Sequence, residues 1–404
     1  VTAPESFQPA SLLFADAVKV SNGRLKVQLD RHLLRAELDL IAEVIEPKNS
    51  LAAVVNHLLL EATDHRLILK ACGLKQSWQS EIAADVLEEG SVCLPARKLC
   101  EIARQLPAET VSLGSDQGTV TLKCGSSRFR LNALPPDDFP ELPAEAQFIT
   151  AVPGEVLLTM IRTAIFSAQK NSSAGRYALE GAQLTIGPDG IRLIATDGFR
   201  LISLQRSDVT RDEEIALLIP RHSLSTVVRV FNQINNEIRI GLDGSHLFFQ
   251  QGAQQLSCLM LEGQFPDCAS ILIQEFPREL ALDGAAFREA INRMSVFGID
   301  GGHHNFGLIK FRFAPDSYEL QSVDTSGSEG REEITPLSTS ATTETTISFN
   351  GRYLQDFART LTSASLTIKY TDENSCVEFR PASDDGCLTR YILMPCRDPG
   401  SDHC

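Results

Sequence analysis

No stretch of this chain approaches the roughly 18 uninterrupted apolar residues that a membrane-crossing helix needs, so a membrane span is excluded. Nor does it open on a charged-then-apolar leader: Val1 to Gly23 reads as a mixed extension with little pattern. None of the ten cysteines forms a Cys-x-x-Cys pair, which removes the usual spacing for zinc or thioredoxin-type chemistry. Cys93 and Cys258 sit inside apolar runs, where a free cysteine behaves as a small hydrophobe. Reduced thiols in a cytoplasmic protein are therefore expected. A Gly-x-x-x-x-Gly-Lys-Ser/Thr phosphate loop is missing, as is a glycine fingerprint leading into a helix. His303-His304 is the one conspicuous histidine pair. Neighbours on a strand point to opposite faces, so a polar loop is expected there rather than a metal site. Asp137-Asp138 and Asp384-Asp385 stand among Pro, Gly and Ser and read as turns. No catalytic set, metal or cofactor is implied. Positive charge is scarce as well: 52 acidic against 37 basic residues leave a net −15. At first sight that argues against a nucleic-acid partner.

What the chain does have is repetition. Three times an apolar run of strand length meets Pro or Asn and then a basic helix start. These are Leu94-Pro95-Ala96-Arg97, Ile219-Pro220-Arg221-His222 and Phe349-Asn350-Gly351-Arg352, spaced by 125 and 130 residues. A second landmark follows in each: Phe139-Pro140-Glu141, Phe265-Pro266-Asp267 and Leu393-Met394-Pro395, spaced by 126 and 129 residues. Each copy opens on an amphipathic segment, Leu29 to Val44, Val156 to Phe166 and Leu282 to Phe297. A period this long means whole domains rather than solenoid turns. The expected limits are an extension at 1–23, domains at 24–149, 150–277 and 278–398, and a tail at 399–404.

Within each copy, short strand-length runs such as Thr119-Val120-Thr121-Leu122 and Ile191-Arg192-Leu193-Ile194 lie between Gly- and Asp-containing turns. Two helices per copy, about 60 residues apart, suggest that each copy is itself a duplicated half. Several strands per helix predict an α+β fold of antiparallel sheets with helices on one face. The Ser-, Thr-, Glu- and Gly-rich stretch from Thr325 to Thr346 reads in part as a flexible connection. Charge partitions along the same lines. The six helical segments at 30–44, 95–106, 154–170, 221–233, 283–297 and 350–362 carry +4 together, leaving −19 elsewhere. If those helices share a face, it is mildly basic on an acidic body. The plain alternative is that Arg and Lys simply suit helices, and Glu37, Asp39 and Glu43 in the first segment do not help the basic-face reading.

At Ala195-Thr196-Asp197-Gly198-Phe199-Arg200-Leu201 the chain resembles the bacterial DNA sliding clamp family, the beta subunit of the replicative polymerase. More landmarks agree in order: Leu94-Pro95-Ala96-Arg97-Lys98, Ser127-Arg128-Phe129, Leu134-Pro135, Asp138-Phe139-Pro140, Gly263-Gln264-Phe265-Pro266-Asp267 and Tyr391-Ile392-Leu393-Met394-Pro395. The likeness spans roughly residues 24 to 397. It implies three similar domains, with two chains joined head to tail into a ring around double-stranded DNA, helices inside and sheets outside. It also implies a non-catalytic processivity factor that works at the nucleoid and docks replicative and repair polymerases and the clamp loader. A ring that slides should touch phosphates weakly and read no bases.

The resemblance carries sites with it. An apolar pocket for a short linear peptide would involve Leu179, Thr196, Gly198, Phe199, Arg200, Leu201, Pro266, Ile271, Asn350, Tyr353, Met394, Pro395, Cys396 and Arg397. Read without it, Leu201, Ile271 and Met394 are plain core residues. DNA would meet Lys48, Arg97, Lys98, Arg176, Tyr177 and Arg221, each of which is otherwise a solvated surface group. The joint between copies would use Phe129 and Leu131 on one side and Met294 and Phe297 on the other. The chain departs from the family at Phe199 (usually His), Ser270 (often Arg), Cys396 (often Met) and Asp398 (near the usual terminal Leu), which puts peptide preference in question. A second, specialised clamp-like copy, or an acidic protein-binding scaffold, is the competing reading.

Overall fold

The computed structural model describes residues 24–45, 56–143, 146–170, 177–231, 235–298, 307–315, 317–324, 327–340, 343–383 and 386–396. The first repeat runs β1 (Lys26–Asp30), α1 (Arg31–Val44), β2 (His57–Thr63), β3 (Arg66–Cys72), β4 (Gln76–Ala83), β5 (Asp85–Glu88), β6 (Gly90–Pro95), α2 (Ala96–Ala103), β7 (Thr110–Asp116), β8 (Thr119–Cys124) and β9 (Ser127–Asn132). The second runs β10 (Gln147–Pro153), α3 (Gly154–Ala164), β11 (Gly181–Gly187), β12 (Gly190–Thr196), β13 (Arg200–Arg206), β14 (Ile215–Pro220), α4 (Arg221–Val230), β15 (Glu237–Asp243), β16 (His246–Gln251) and β17 (Gln254–Leu259). After the one-turn α5 (Ala269–Leu272), the third runs β18 (Arg278–Asp283), α6 (Gly284–Met294), β19 (Leu308–Phe313), β20 (Tyr318–Val323), β21 (Glu329–Ile334), β22 (Ser338–Thr339), β23 (Thr345–Asn350), α7 (Gly351–Thr360), β24 (Ser365–Tyr370), β25 (Val377–Pro381) and β26 (Leu388–Leu393).

Each repeat is thus strand, helix and three-strand meander, said twice, as the paired helices predicted, with β5 and β22 as additional short strands in the first and third. The helix starts follow from local chemistry. Asp30 accepts hydrogen bonds from the backbone N–H groups of His32 and Leu33, Asp283 from that of Ala286, and Asn350 from those of Arg352 and Tyr353. These side chains satisfy donors that a helix N-terminus otherwise leaves orphaned. β10 runs across the expected limit at 149 and pairs with β15, so it goes with the second repeat.

All the strand pairing described is antiparallel, in four sheets. Their orders are β5-β1-β7-β8-β9, β10-β15-β16-β17-β4-β3-β2-β6, β14-β11-β12-β13-β26-β25-β24-β18-β22 and β21-β20-β19-β23. The chain forms two compact units, one of residues up to Glu155 with Arg229–Leu259, the other of Val156–Val228 with residues from Met260 onward. In the first, Leu34, Leu38 and Ile41 of α1 and Leu99 and Cys100 of α2 are buried, and Trp78 packs on Phe231 at 6.0 Å. In the second, Phe311 is fully buried among Phe287, Phe313, Tyr318, Phe349 and Phe379.

The stretch expected to be in part a flexible connection also carries strands. The polar stretch Thr325 to Thr346 contains β21, a six-residue strand paired to β20, as well as β22 and the start of β23. Its Glu-Gly-Arg-Glu-Glu-Ile sequence lacks apolar alternation because it is an edge strand, and edges are commonly charged.

The buried thiols follow the sequence reading. Burial, with Asp138 and Glu61 adding to it, pushes Cys93 up to about 12, and burial pushes Cys100 up to about 11. Since only the thiolate is nucleophilic, both should resist iodoacetamide at pH 8 in the native protein and label readily in guanidinium. Fast native labelling of either, read by peptide mass spectrometry, would contradict this packing. Among the described residues no group of three or more His, Cys, Asp or Glu side chains is placed to hold a metal ion, and no helix is long and apolar enough to cross a membrane.

Candidate functional site

The turn between β12 and β13 is tied almost wholly to itself. Thr196 Oγ1 donates to the Arg200 carbonyl at 2.6 Å and accepts from the Gly198 N–H at 3.1 Å. Asp197 Oδ1 accepts from the N–H groups of Phe199 and Arg200 at 3.0 and 3.1 Å. Gly198 has φ +93°, a left-handed conformation that side chains disfavour. With its polar groups satisfied internally, the turn holds Phe199 out, 62% exposed.

Arg200 anchors this turn from below. Its Nε donates to Asp197 Oδ2 at 2.9 Å, Nη1 to Asp356 Oδ2 on α7 at 2.9 Å, and Nη2 to the Phe166 carbonyl at 2.7 Å. The guanidinium also lies 4.2 Å from the Tyr353 ring centroid and 5.3 Å from that of Phe166. A buried cation is tolerated only when paired and hydrogen-bonded in this way. Burial, reinforced by Asp197, pushes the Tyr353 phenol above its ordinary value, so it stays neutral.

The opposite wall comes from the end of β26. The Met394 N–H donates to the Phe199 carbonyl at 2.9 Å, and the Cys396 N–H to the Ser348 carbonyl at 2.7 Å. Asn350 is buried as the cap of α7, Pro395 and Cys396 are half-buried, and Pro266 is exposed. Burial raises the Cys396 thiol above its ordinary value. Beneath lies an apolar cluster of Ile194, Leu201, Leu218, Phe265, Cys268 and Ile392, with Leu272 packed on it. Leu201 and Leu179 are therefore buried support, whereas Ile271 and Met394 are 39% and 46% exposed. Arg390 donates to the Leu272 carbonyl and to fully buried Glu378, pinning α5 to the sheet. The site offers exposed apolar surface on a rigid polar frame, the chemistry of peptide docking rather than of bond making. Asp197, Asp356, Phe166 and Arg390 were not singled out from sequence. Asp197 sits within the quoted motif and was findable; Asp356, 156 residues from Arg200, carried no local signal.

The other expected residues scatter more. Arg97 and Lys98 are exposed at the start of α2, as a phosphate contact requires. Arg221 is half-buried, donates to the Ala168 carbonyl at 2.6 Å, and is held below its ordinary pKa by burial and by Arg200. Lys48 and Arg176 lie outside the described residues, as do Arg397, His303-His304 and Asp384-Asp385, and Tyr177 opens a short 3-10 turn. Several helical arginines are matched by acids: Arg35 and Arg104 with Asp39, Arg229 with Glu43, Arg293 with Glu289 and Glu332, and Arg359 with Asp356. The helices are less basic in effect than their charge count suggested. Phe129 is half-buried and Leu131 buried on β9, an edge strand. Met294 is buried, and Phe297 packs against the backbone of Gly330 on β21, also an edge strand.

Three duplicated repeats joined by strand pairing define a three-domain clamp fold. Family models agree along nearly the whole chain: the DNA polymerase III beta subunit N-terminal domain matches 25–143, the central domain 151–267 and the C-terminal domain 269–397. The chain belongs to the DNA polymerase III beta subunit family. It is 26% identical over 379 residues to the beta sliding clamp of Synechococcus elongatus, covering 92% of this chain and 99% of that one. Against the beta sliding clamp of Pseudomonas aeruginosa it is 26% identical over 376 residues, covering 91% and 99%. A solved C. crescentus beta sliding clamp superposes with a TM-score of 0.85 at 25% identity, covering 93% of this chain and all of that one.

Proposed function

We propose that two copies of this chain close head to tail into a ring around duplex DNA. The ring acts as a processivity factor, tethering polymerases, loader and repair proteins through the site at Phe199 and Met394. It performs no chemistry of its own and works at the nucleoid, in the cytoplasm. One topological observation carries the ring. β4, the third strand of the first repeat's first meander, pairs with β17, the third strand of the second repeat's last meander. β13 pairs with β26 by the same rule one repeat further on. The same rule applied once more asks β21 for a partner, and the corresponding strand is β9, whose outer edge is open. Only a second copy carries the rule through at both ends, and a heterologous contact repeated this way closes when its rotation permits. Phe129 then belongs to one edge, while Met294 and Phe297 support the other from beneath. Arg97 and Lys98 are the proposed phosphate contacts among the described residues.

Light scattering at micromolar concentration should give twice the 44.2 kDa chain mass. After loading, the protein should stay on circular DNA and run off once that DNA is linearised. A persistent monomer would instead favour an acidic binding scaffold. The Phe199, Ser270 and Cys396 departures favour a peptide preference unlike that of most relatives, and hence leave room for a specialised second clamp.

A further inference from the structure

The joint between β4 and β17 repeats three backbone features of the frame around Phe199. The Leu259 N–H donates to the Lys75 carbonyl at 3.2 Å, as Met394 does to Phe199. The Gly73 N–H donates to the Gln76 carbonyl at 2.8 Å, as Asp197 does to Arg200 at 3.3 Å. Cys93 and Leu134 exchange backbone hydrogen bonds where the Leu261 N–H donates to the Leu218 carbonyl. Phe139-Pro140 stands in the place of Phe265-Pro266, and Phe139 is buried with Leu59 and Cys93, with Leu134 and Leu142 packed on them. Within this frame lies a cavity of about 300 Å³, lined by Leu74, Lys75, Leu142, Pro143, His246 and Leu259 among others. Leu74 and Leu259 are 59% and 41% exposed, an apolar pair left open to solvent as Phe199 and Met394 are.

We propose that this cavity is a second peptide-docking pocket, taking an extended segment with adjacent bulky apolar residues and an acidic neighbour. The inference rests on reading the turn at Phe199 as a peptide site, because it is the shared frame that makes the first joint a candidate. Ser77 and Ser257 satisfy each other through a hydrogen bond of 2.5 Å, while the buried Gln76 Oε1 in the same lining has no partner among the described residues and is left as an acceptor for a peptide N–H. An extended chain is held by apolar anchors and its own backbone. Lys75 occupies the position that Phe199 has in the other site, and among the described residues no ion pair is formed by it. A cation at that lip selects for acidic flanks, whereas the aromatic at the other site does not. Glu141 on the same rim sets a limit to how many acids the peptide can carry.

The test uses the full chain and a fluorescein-labelled peptide, Glu-Leu-Leu-Phe-Glu, with binding read by fluorescence anisotropy. Two double variants close one site each: Leu74→Asp with Leu259→Asp, and Phe199→Asp with Met394→Asp. All four side chains are exposed, so the fold should survive, which circular dichroism checks. The expected result is two sites per chain in the parent and one in each double variant. Lys75→Glu alone should weaken the first-joint site about two- to fivefold, the size of a rim charge effect, and leave the other unchanged. It also stands as the readout should Leu74→Asp with Leu259→Asp misfold. If only the variant closed at the first joint still binds, the second pocket is overturned and the docking site at Phe199 stands. If only the variant closed at Phe199 binds, the new pocket stands and the other reading falls. No binding by the parent chain overturns both.

Discussion

Reversing the charges on β9, Arg128→Glu with Arg130→Glu, should convert the ring to monomers at micromolar concentration. Both arginines are exposed on the open edge of the five-stranded sheet. Arg128 lies directly across from Lys123 on β8, a like-charge pair that is unfavourable in the isolated sheet. The other open edge mirrors it: Glu333 on β21 lies directly across from Glu319 on β20. Glu329 and Glu333 are both exposed. Bringing β9 against β21 sets a basic edge beside an acidic one and relieves both repulsions. Reversal puts acid against acid, at a cost of about 3 kcal/mol, or roughly a hundredfold in dimer dissociation. Glu329→Arg with Glu333→Arg should do the same alone. A mixture of the two double variants should recover a heterodimer in which both joints are complementary, one with the native charges and one with the charges exchanged. Sedimentation equilibrium decides the matter: if the β9 variant stays a dimer with an unchanged dissociation constant, β9 is not the joint.

The second large effect is expected at Arg200. Replacing it with Ala removes hydrogen bonds to Asp197, Asp356 and the Phe166 carbonyl, together with contacts to two rings. Removing one partner of a buried ion pair costs about 3 kcal/mol or more. The Asp197 and Asp356 side chains keep 12% and 25% exposure, so water recovers part of that loss and the lower figure is the one expected. The turn would also lose the anchor that presents Phe199, so peptide binding should fall at least tenfold. Arg200→Lys should rescue little, because an ammonium cannot reach three acceptors in a plane and stack between rings at once. Phe199→Ala is the control: an exposed side chain, it should weaken docking while leaving the melting temperature nearly unchanged. A melting temperature for Arg200→Ala equal to the parent's would mean that the network supports nothing.

Much of this was readable along the chain because the signals are local. The apolar run into Pro95, Pro220 or Asn350 followed by a helix depends on caps and periodicity within about ten residues. The motif from Ala195 to Leu201 contains the whole of its turn, but the hydrogen bonds around Gly198 come only from the structure. The proposed joint between copies draws on both levels: Phe129 stands on the open-edged β9, while Met294 is buried and Phe297 packs against the backbone of Gly330 on β21. β21 lies inside the Ser-, Thr-, Glu- and Gly-rich stretch, and with three Glu among its six residues it shows no apolar alternation along the chain. Charge on an edge is a tertiary property: those residues are polar because no neighbouring strand in their own chain covers them. Arg221 fell the same way. Its position at a helix start is plain, but its donation to the Ala168 carbonyl is visible only once residues 53 apart are brought together.

By itself, then, the sequence determined three duplicated α+β repeats, the helix starts and the apolar setting of cysteines such as Cys93 and Cys258, all products of short-range hydrogen bonding and side-chain periodicity. Only the tertiary structure decided which strands became joints and which stayed open, which arginines are matched by acids, and where Arg200 finds Asp356. Those depend on contacts between residues far apart in the chain, whose pairing no local pattern encodes.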